Sequence, residues 1–231
     1  MIQTITIEFA DGNRLKWDFD FSLQGTMQMD TLFLQGVPKW MELAYCQCPA
    51  CTLSTTSNPT CPVAEALGRY LHKLAHHNSY DQVKVEVFTD DGCKTVIDSI
   101  ALQNVVSELV RLAVFQYECP IGRQVKPAMT TLPPFPSNED ILNAFALTFA
   151  QSLDQDCNIP SAAQSKIMED LHDLLGNLCV RLESVGEGDA QLNGIVILHS
   201  LATLFTLSAP ELIADVRGLD NFRPQSTNST K

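Results

Sequence analysis

The chain has 231 residues, a formal net charge of −12 and 45% hydrophobic residues. That is ample material for a core, and at roughly 100–200 residues per domain it allows one large domain or two small ones. The acidic balance repels phosphate backbones, and the dispersed Arg111, Arg123 and Lys126 do not offset it, so nucleic acid is not an expected partner.

The apolar stretch 192–205 is interrupted by Asn193, His199 and Ser200 and is shorter than a membrane span. The opening MIQTITIEF lacks the basic and apolar regions of a secretory signal. The expectation is a soluble protein of the bacterial cytoplasm, off the membrane, with its eight cysteines reduced. In that compartment clustered cysteines point to metal or redox chemistry rather than to a disulfide framework.

Thr4 to Phe9 alternates polar and apolar residues, Asp11-Gly12-Asn13 is a turn, and Leu15 to Phe21 alternates again: a hairpin. Val37 to Tyr45 reads as a short helix with Pro38 in its first turn, leading into Cys46-Gln47-Cys48-Pro49-Ala50-Cys51. A polar loop follows from 52 to 60 and would be mobile. Cys61-Pro62 then opens a helix whose stripe is Val63, Ala66, Leu67, Tyr70, Leu71 and Leu74. Its N-terminal N–H groups and dipole favour a thiolate at Cys61.

A second hairpin takes Val83, Val85 and Val87, turns at Asp90-Asp91-Gly92 and returns through Thr95 to Ile97. Asp98 or Ser99 is expected to cap an apolar helix ending near Glu118, because the residue before Pro120 is driven out of helical space. Pro127, Pro133, Pro134 and Pro136 mark 126–136 as a linker. Three further helical stretches follow. One is capped at Ser137, one begins near Pro160 with a leucine-rich face, and one runs from Asp189 to Phe205; a separate short helix begins at Ser208. The fold expected is α+β: two β-hairpins forming a small antiparallel sheet with helices, followed by a C-terminal helical bundle. Its units are 1–130, the bundle 131–216 and a disordered tail 217–231, with no repeat of fixed period and only a loose likeness between the two hairpin units.

The chemical signal is the spacing C-x-C-x2-C-x9-C from Cys46 to Cys61. A C-x2-C turn can set two sulfurs on one ion. Cys48, Cys61 and Cys119 each precede proline, a context shared with iron–sulfur ligands. Cys48, Cys51, Cys61 and Cys119 are therefore the expected metal ligands, with Cys46 in reserve. Zinc is the expected ion and an iron–sulfur cluster the alternative. Cys157 and Cys179 read as core residues. A redox C-x2-C would follow a strand, and this one does not. His72 and His76 share a helix face, but Lys73 stands where a zinc protease would carry glutamate, so they read as solvated. His172 and His199 read as structural. There is no phosphate-binding glycine loop and no G-x-S-x-G elbow.

Trp40, Cys48, Cys51, Cys61-Pro62-Val63-Ala64, Cys119-Pro120 and Asp189-Ala190-Gln191-Leu192-Asn193 form a pattern that resembles a bacterial domain family of unknown function, over most of residues 1–205. The resemblance implies no activity. Members carry a histidine beside Pro-Phe near the linker, whereas Leu132-Pro133-Pro134-Phe135 has none, so it implies no catalytic role there. The function expected is a zinc-stabilised scaffold or regulatory adaptor that binds another protein. The alternatives are an iron–sulfur redox protein and an enzyme with an open three-cysteine site.

Overall fold

The computed structural model describes residues 2–20, 36–74, 76–116, 119–151, 160–185 and 189–221. The fold is α+β. Strands β1 (Ile2–Phe9), β2 (Arg14–Asp20), β3 (Gln82–Thr89) and β4 (Lys94–Ala101) form one antiparallel sheet in the order β2-β1-β3-β4. Strand period dictates its two faces. Ile5, Ile7, Phe9, Trp17, Phe19, Val83, Val85 and Val87 are buried. The opposite face carries ion pairs such as Arg14–Glu8 at 2.6 Å and Lys94–Glu86 at 3.4 Å.

The hairpins are more alike than their sequences. Gly12 and Gly92 take left-handed φ values of 83° and 87° in matching turns. Asp11 accepts from the Asn13 N–H at 2.8 Å, and Asp91 accepts from the Cys93 N–H at 3.0 Å. Ile5 faces Trp17 as Val85 faces Ile97, and β1 meets β3 with Thr6 opposite Glu86. A local two-fold through that pair relates the hairpins. The turn chemistry is repeated while the side chains have diverged, which is why only a loose likeness is legible.

Helix α1 (Pro62–Leu71) follows the first hairpin and α2 (Leu102–Gln116) the second. The strand β4 runs to Ala101, past the expected helix start at Asp98 or Ser99, because Gln82 and Val83 of β3 still pair with Ala101 and Ile100. The first N–H groups of α2 are instead met by the carbonyls of Asp81 and Ser79, at 2.9 and 3.0 Å.

Segment 126–136 is no bare linker. Lys126–Thr130 form a one-turn helix, α3, and Met129 is buried. Next come α4 (Asn138–Ala150), α5 (Ala162–Glu183) and α6 (Ala190–Asn221). Ser137 with Asp140 and Ser161 with Gln164 form capping boxes at α4 and α5.

Helix α6 does not stop at Phe205 but runs through Pro210 and past 217. The ring sits on the exposed side, while Ala209 and Ile213 on either side of it are buried, so apolar burial carries the helix across the break. At this length α6 is long and apolar enough to cross a membrane by composition alone, which corrects the expectation that the stretch is too short. The same property belongs to a core helix, and α6 packs against α2, α4 and α5. Residues 222–231 of the expected tail, Glu118 and Cys157 lie outside the described residues.

Buried residues of both halves form one continuous core, from Ile5 and Leu67 to Leu178 and Ile213. The Asp189–Asn193 pattern is a latch across it. Asp189 accepts from the Ser79 backbone N–H and hydroxyl at 2.6 and 2.9 Å, Asn193 donates to Asp189 at 3.1 Å, and Gln191 donates to the Leu71 carbonyl at 2.8 Å.

Candidate metal centre

Residues 37–45 do not form the expected helix. Only Lys39–Met41 make a 3-10 turn, after which the strand-like segment at Glu42 bridges Thr60. The Leu43 N–H donates to the Pro59 carbonyl at 2.9 Å, and the Cys61 N–H to the Met41 carbonyl at 2.8 Å. A short helix has too few internal bonds to outweigh this pairing. The pairing closes a loop from 43 to 59 that holds Cys46, Cys48 and Cys51. Inside it the Cys51 N–H donates to the Cys48 carbonyl at 3.0 Å, and the Gln47 amide to the Leu53 carbonyl at 2.9 Å. The polar stretch expected to be mobile is tied at Ser54, whose carbonyl accepts from the N–H groups of Ser57 and Asn58.

Cys61 is the N-cap residue of α1, as the Cys-Pro step implies, and is buried. Cys119 follows α2 and is buried too. The Gly122 N–H lies 3.5 Å from its sulfur. Cys48 and Cys51 are half-buried against the core.

Cys48 lies within electrostatic reach of Cys51 and Cys61, and Cys119 within reach of Cys61 and Cys48. Burial pushes the Cys48 thiol up to about 11, and charge on Cys61 and Cys51 would push it the same way. Burial pushes Cys119 up to about 12, against hydrogen bonds from the Gly122 and Ile121 backbone, and charge on Cys61 and Cys48 again adds to the rise. Among the described residues, which include all four expected ligands, no group of three or more His, Cys, Asp and Glu side chains is placed to hold a metal ion.

The seven described cysteines are all free. Cys46 has a left-handed φ of 53°, Cys93 is exposed at the second hairpin's turn, and Cys179 sits half-buried on α5, its thiol raised by burial and by Glu183. The histidines of the first half are used locally. His72 Nδ1 lies 3.0 Å from the Gly68 carbonyl, and His77 stacks on Phe9 at 4.1 Å.

Two residues that sequence reasoning passed over join the thiols from α5. The Asn177 side chain hydrogen-bonds Cys48 and pulls its thiol down, as does the charge of Arg181. Arg181 is 2% exposed. Its guanidinium donates to the carbonyls of Trp40 at 2.6 Å, Glu42 at 2.8 Å, Leu43 at 3.4 Å and Cys46 at 3.2 Å. One signal was available: Arg181 falls on the stripe of Leu174, Leu178 and Leu182, where a charged residue in a helix interior face demands a partner.

Chemically, protonated Cys48 and Cys119 are poor nucleophiles, since the thiolate is the reactive form. A soft divalent ion, were it bound there, would replace those protons and supply the charge that burial withholds.

The chain belongs to the domain of unknown function DUF6901, whose family model matches residues 4–220. No curated protein and no solved structure matches the chain.

Proposed function

We propose that the protein binds one divalent metal ion, zinc foremost, through Cys48, Cys51, Cys61 and Cys119, and that the ion is the structural clamp of a non-catalytic cytoplasmic scaffold that engages another protein. What supports the reading is the burial of Cys61 and Cys119 together with the electrostatic reach of Cys119 to Cys48 and Cys61. Thiols such as Cys48 and Cys119, which burial keeps protonated, suit ligands that would give up their protons to a cation. On this reading the side chains turn inward to reach Zn–S distances of about 2.3 Å, and their protons leave to solvent. A closed four-thiolate shell leaves no position for substrate, so the ion supports structure rather than chemistry. A partner protein accords with the apolar residues left outward on α6, among them Leu204 and Leu207.

The test is elemental analysis and a visible spectrum on protein purified without oxygen, with thermal melts before and after chelation. The expected result is one zinc per chain, no colour, and a melting temperature that falls on chelation. The Cys51→Ser variant should lose metal and melt lower, because binding energy at a structural site is folding energy. Protein that takes up neither zinc nor cobalt(II) overturns the reading. Iron with sulfide and a visible band replaces it with a redox function.

A further inference from the structure

The loop that carries Cys46, Cys48 and Cys51 is pinned at its base and closed at its tip. At the base, the Leu43 and Cys61 N–H groups bond to the carbonyls of Pro59 and Met41, and the buried Arg181 donates to the carbonyls of Trp40, Glu42, Leu43 and Cys46. At the tip, the Cys51 N–H donates to the Cys48 carbonyl at 3.0 Å across Pro49 and Ala50, which closes a β-turn. The sequence favours that turn, because Pro49 presets the φ that its second position needs. A further bond brackets the turn: the Gln47 side-chain amide donates to the Leu53 carbonyl at 2.9 Å. The end Cα atoms of a β-turn lie within about 7 Å of each other, and a disulfide spans Cα separations of about 4.4–6.8 Å. The backbone alone therefore presents Cys48 and Cys51 with a span that a bridge can close. Both are free and half-buried, so a small reagent can reach them, whereas Cys61 and Cys119 are buried.

We propose that Cys48 and Cys51 are a reversible dithiol–disulfide couple, a modification site that exchanges with low-molecular-weight disulfides. The Cys51 thiolate attacks one sulfur of the external disulfide, whose S–S bond breaks and releases a first thiolate. Cys48 then attacks the Cys51 sulfur of the mixed disulfide and expels the second. The chain loses two electrons and both thiol protons, and the external disulfide leaves as two thiols. The second step is intramolecular, and the turn favours it by holding the partners together. In a thioredoxin-like oxidoreductase the C-x2-C pair opens a helix, whereas here α1 begins only at Pro62, so the bond is one that the chain forms on itself. A ring this small gains little from chain entropy, so the bond opens again when the thiol pool turns reducing. The couple needs no ion and does not rest on the metal reading.

The experiment equilibrates the full-length protein, as purified, with glutathione buffers running from fully reduced to fully oxidised. Samples are quenched in acid, free thiols are alkylated, and intact mass with peptide fragmentation locates any bridge. The wild type should pass to a form with two fewer alkylated thiols and a Cys48–Cys51 bridge, and dithiothreitol should reverse it. Cys48→Ser should form no bridge and should hold glutathione on Cys51 instead. Cys46→Ser should keep the bridge, and so should Cys93→Ser, which removes the exposed thiol of the second hairpin's turn. A wild type without the bridge in oxidised glutathione alone overturns the proposal, as does a bridge that joins other cysteines or is lost in Cys46→Ser. If Cys48→Ser does not fold, fragmentation of the wild type decides by itself. Zinc measured on the same samples keeps the two readings apart: zinc without the bridge overturns the couple alone, and the bridge without zinc supports the couple alone.

Discussion

Glu108 and Arg111 are 3% and 4% exposed and meet in a bidentate pair, with a further arginine N–H donated to the Met129 carbonyl at 2.7 Å. The pair is therefore also the pin that holds α3 to α2. A buried ion pair contributes little net stability, because two desolvation penalties offset the attraction, but removing one partner leaves an unpaired charge. Glu108→Gln should destabilise the protein by about 3–5 kcal/mol. At roughly 2–4 °C per kcal/mol for a domain of this size, that is a fall in melting temperature of more than about 6 °C. The double variant Glu108→Leu/Arg111→Met removes both charges together and should recover most of the loss, although the Met129 carbonyl then loses its donor. Thermal melts of the three proteins decide the matter, and a single variant that melts like wild type would falsify the account. The contrast with Arg181 is instructive at this scale. Two arginines are buried to similar degree, one answered by a carboxylate three residues away and the other by backbone alone.

At the scale of elements, α6 crosses a residue that should end it. Pro210 cannot donate to the Thr206 carbonyl, and its ring crowds the preceding turn, a penalty of about 3 kcal/mol in a helix interior. The helix continues because Phe205, Ala209, Ile213 and Val216 keep one apolar face buried through the proline. Pro210→Ala should therefore raise the melting temperature, by an amount worth up to about 3 kcal/mol. A lower melting temperature would mean that the proline itself is needed for the packing of α6 on α4 and α5. The same contest between local signal and packing accounts for what the sequence reading reached and what it missed. Both hairpins were legible because alternation and the Asp-Gly turn are local and strong. Strand β4 was cut short because Ile100 and Ala101 pair with β3 residues whose register depends on the whole sheet. The helix expected at 37–45 lost to a bridge with Thr60, a contact no local pattern announces. Of the candidate site, the Cys-Pro context picked out Cys48, Cys61 and Cys119, whose thiols interact electrostatically, while no group of three or more ligating side chains among the described residues is placed to hold a metal ion. Asn177 and Arg181 stayed hidden because they come from a helix whose position only the tertiary packing fixes.

For the molecule as a whole, the packing of α5 on α6 carries a pH dependence. His172 and His199 face each other across that junction with ring centroids 4.1 Å apart. Burial, with the neighbouring charge of His172, holds His199 below the usual imidazole range, so the folded protein disfavours its protonation. Between the folded pKa and the unfolded value of 6.5, the unfolded chain binds the proton more readily. Stability therefore rises with pH through that window, is fully present above 6.5 and is lost as the pH falls below it. The carboxylates act lower. Asp189 is held below the ordinary carboxylate range by hydrogen bonds from Ser79, so its latch is present above that range and is lost only as the pH falls through its folded pKa. Relief of the −12 net charge on acidification works in the opposite direction, since it lessens self-repulsion. At physiological ionic strength the Debye length is about 8 Å, so that diffuse repulsion is largely screened while the contact between the two tilted rings is not. Urea midpoints at pH 7.5 and 5.5 should therefore fall for the wild type and fall less for His199→Gln. A variant that loses as much as the wild type would remove the histidine pair as the cause and leave the carboxylates and the acidic surface to account for the change.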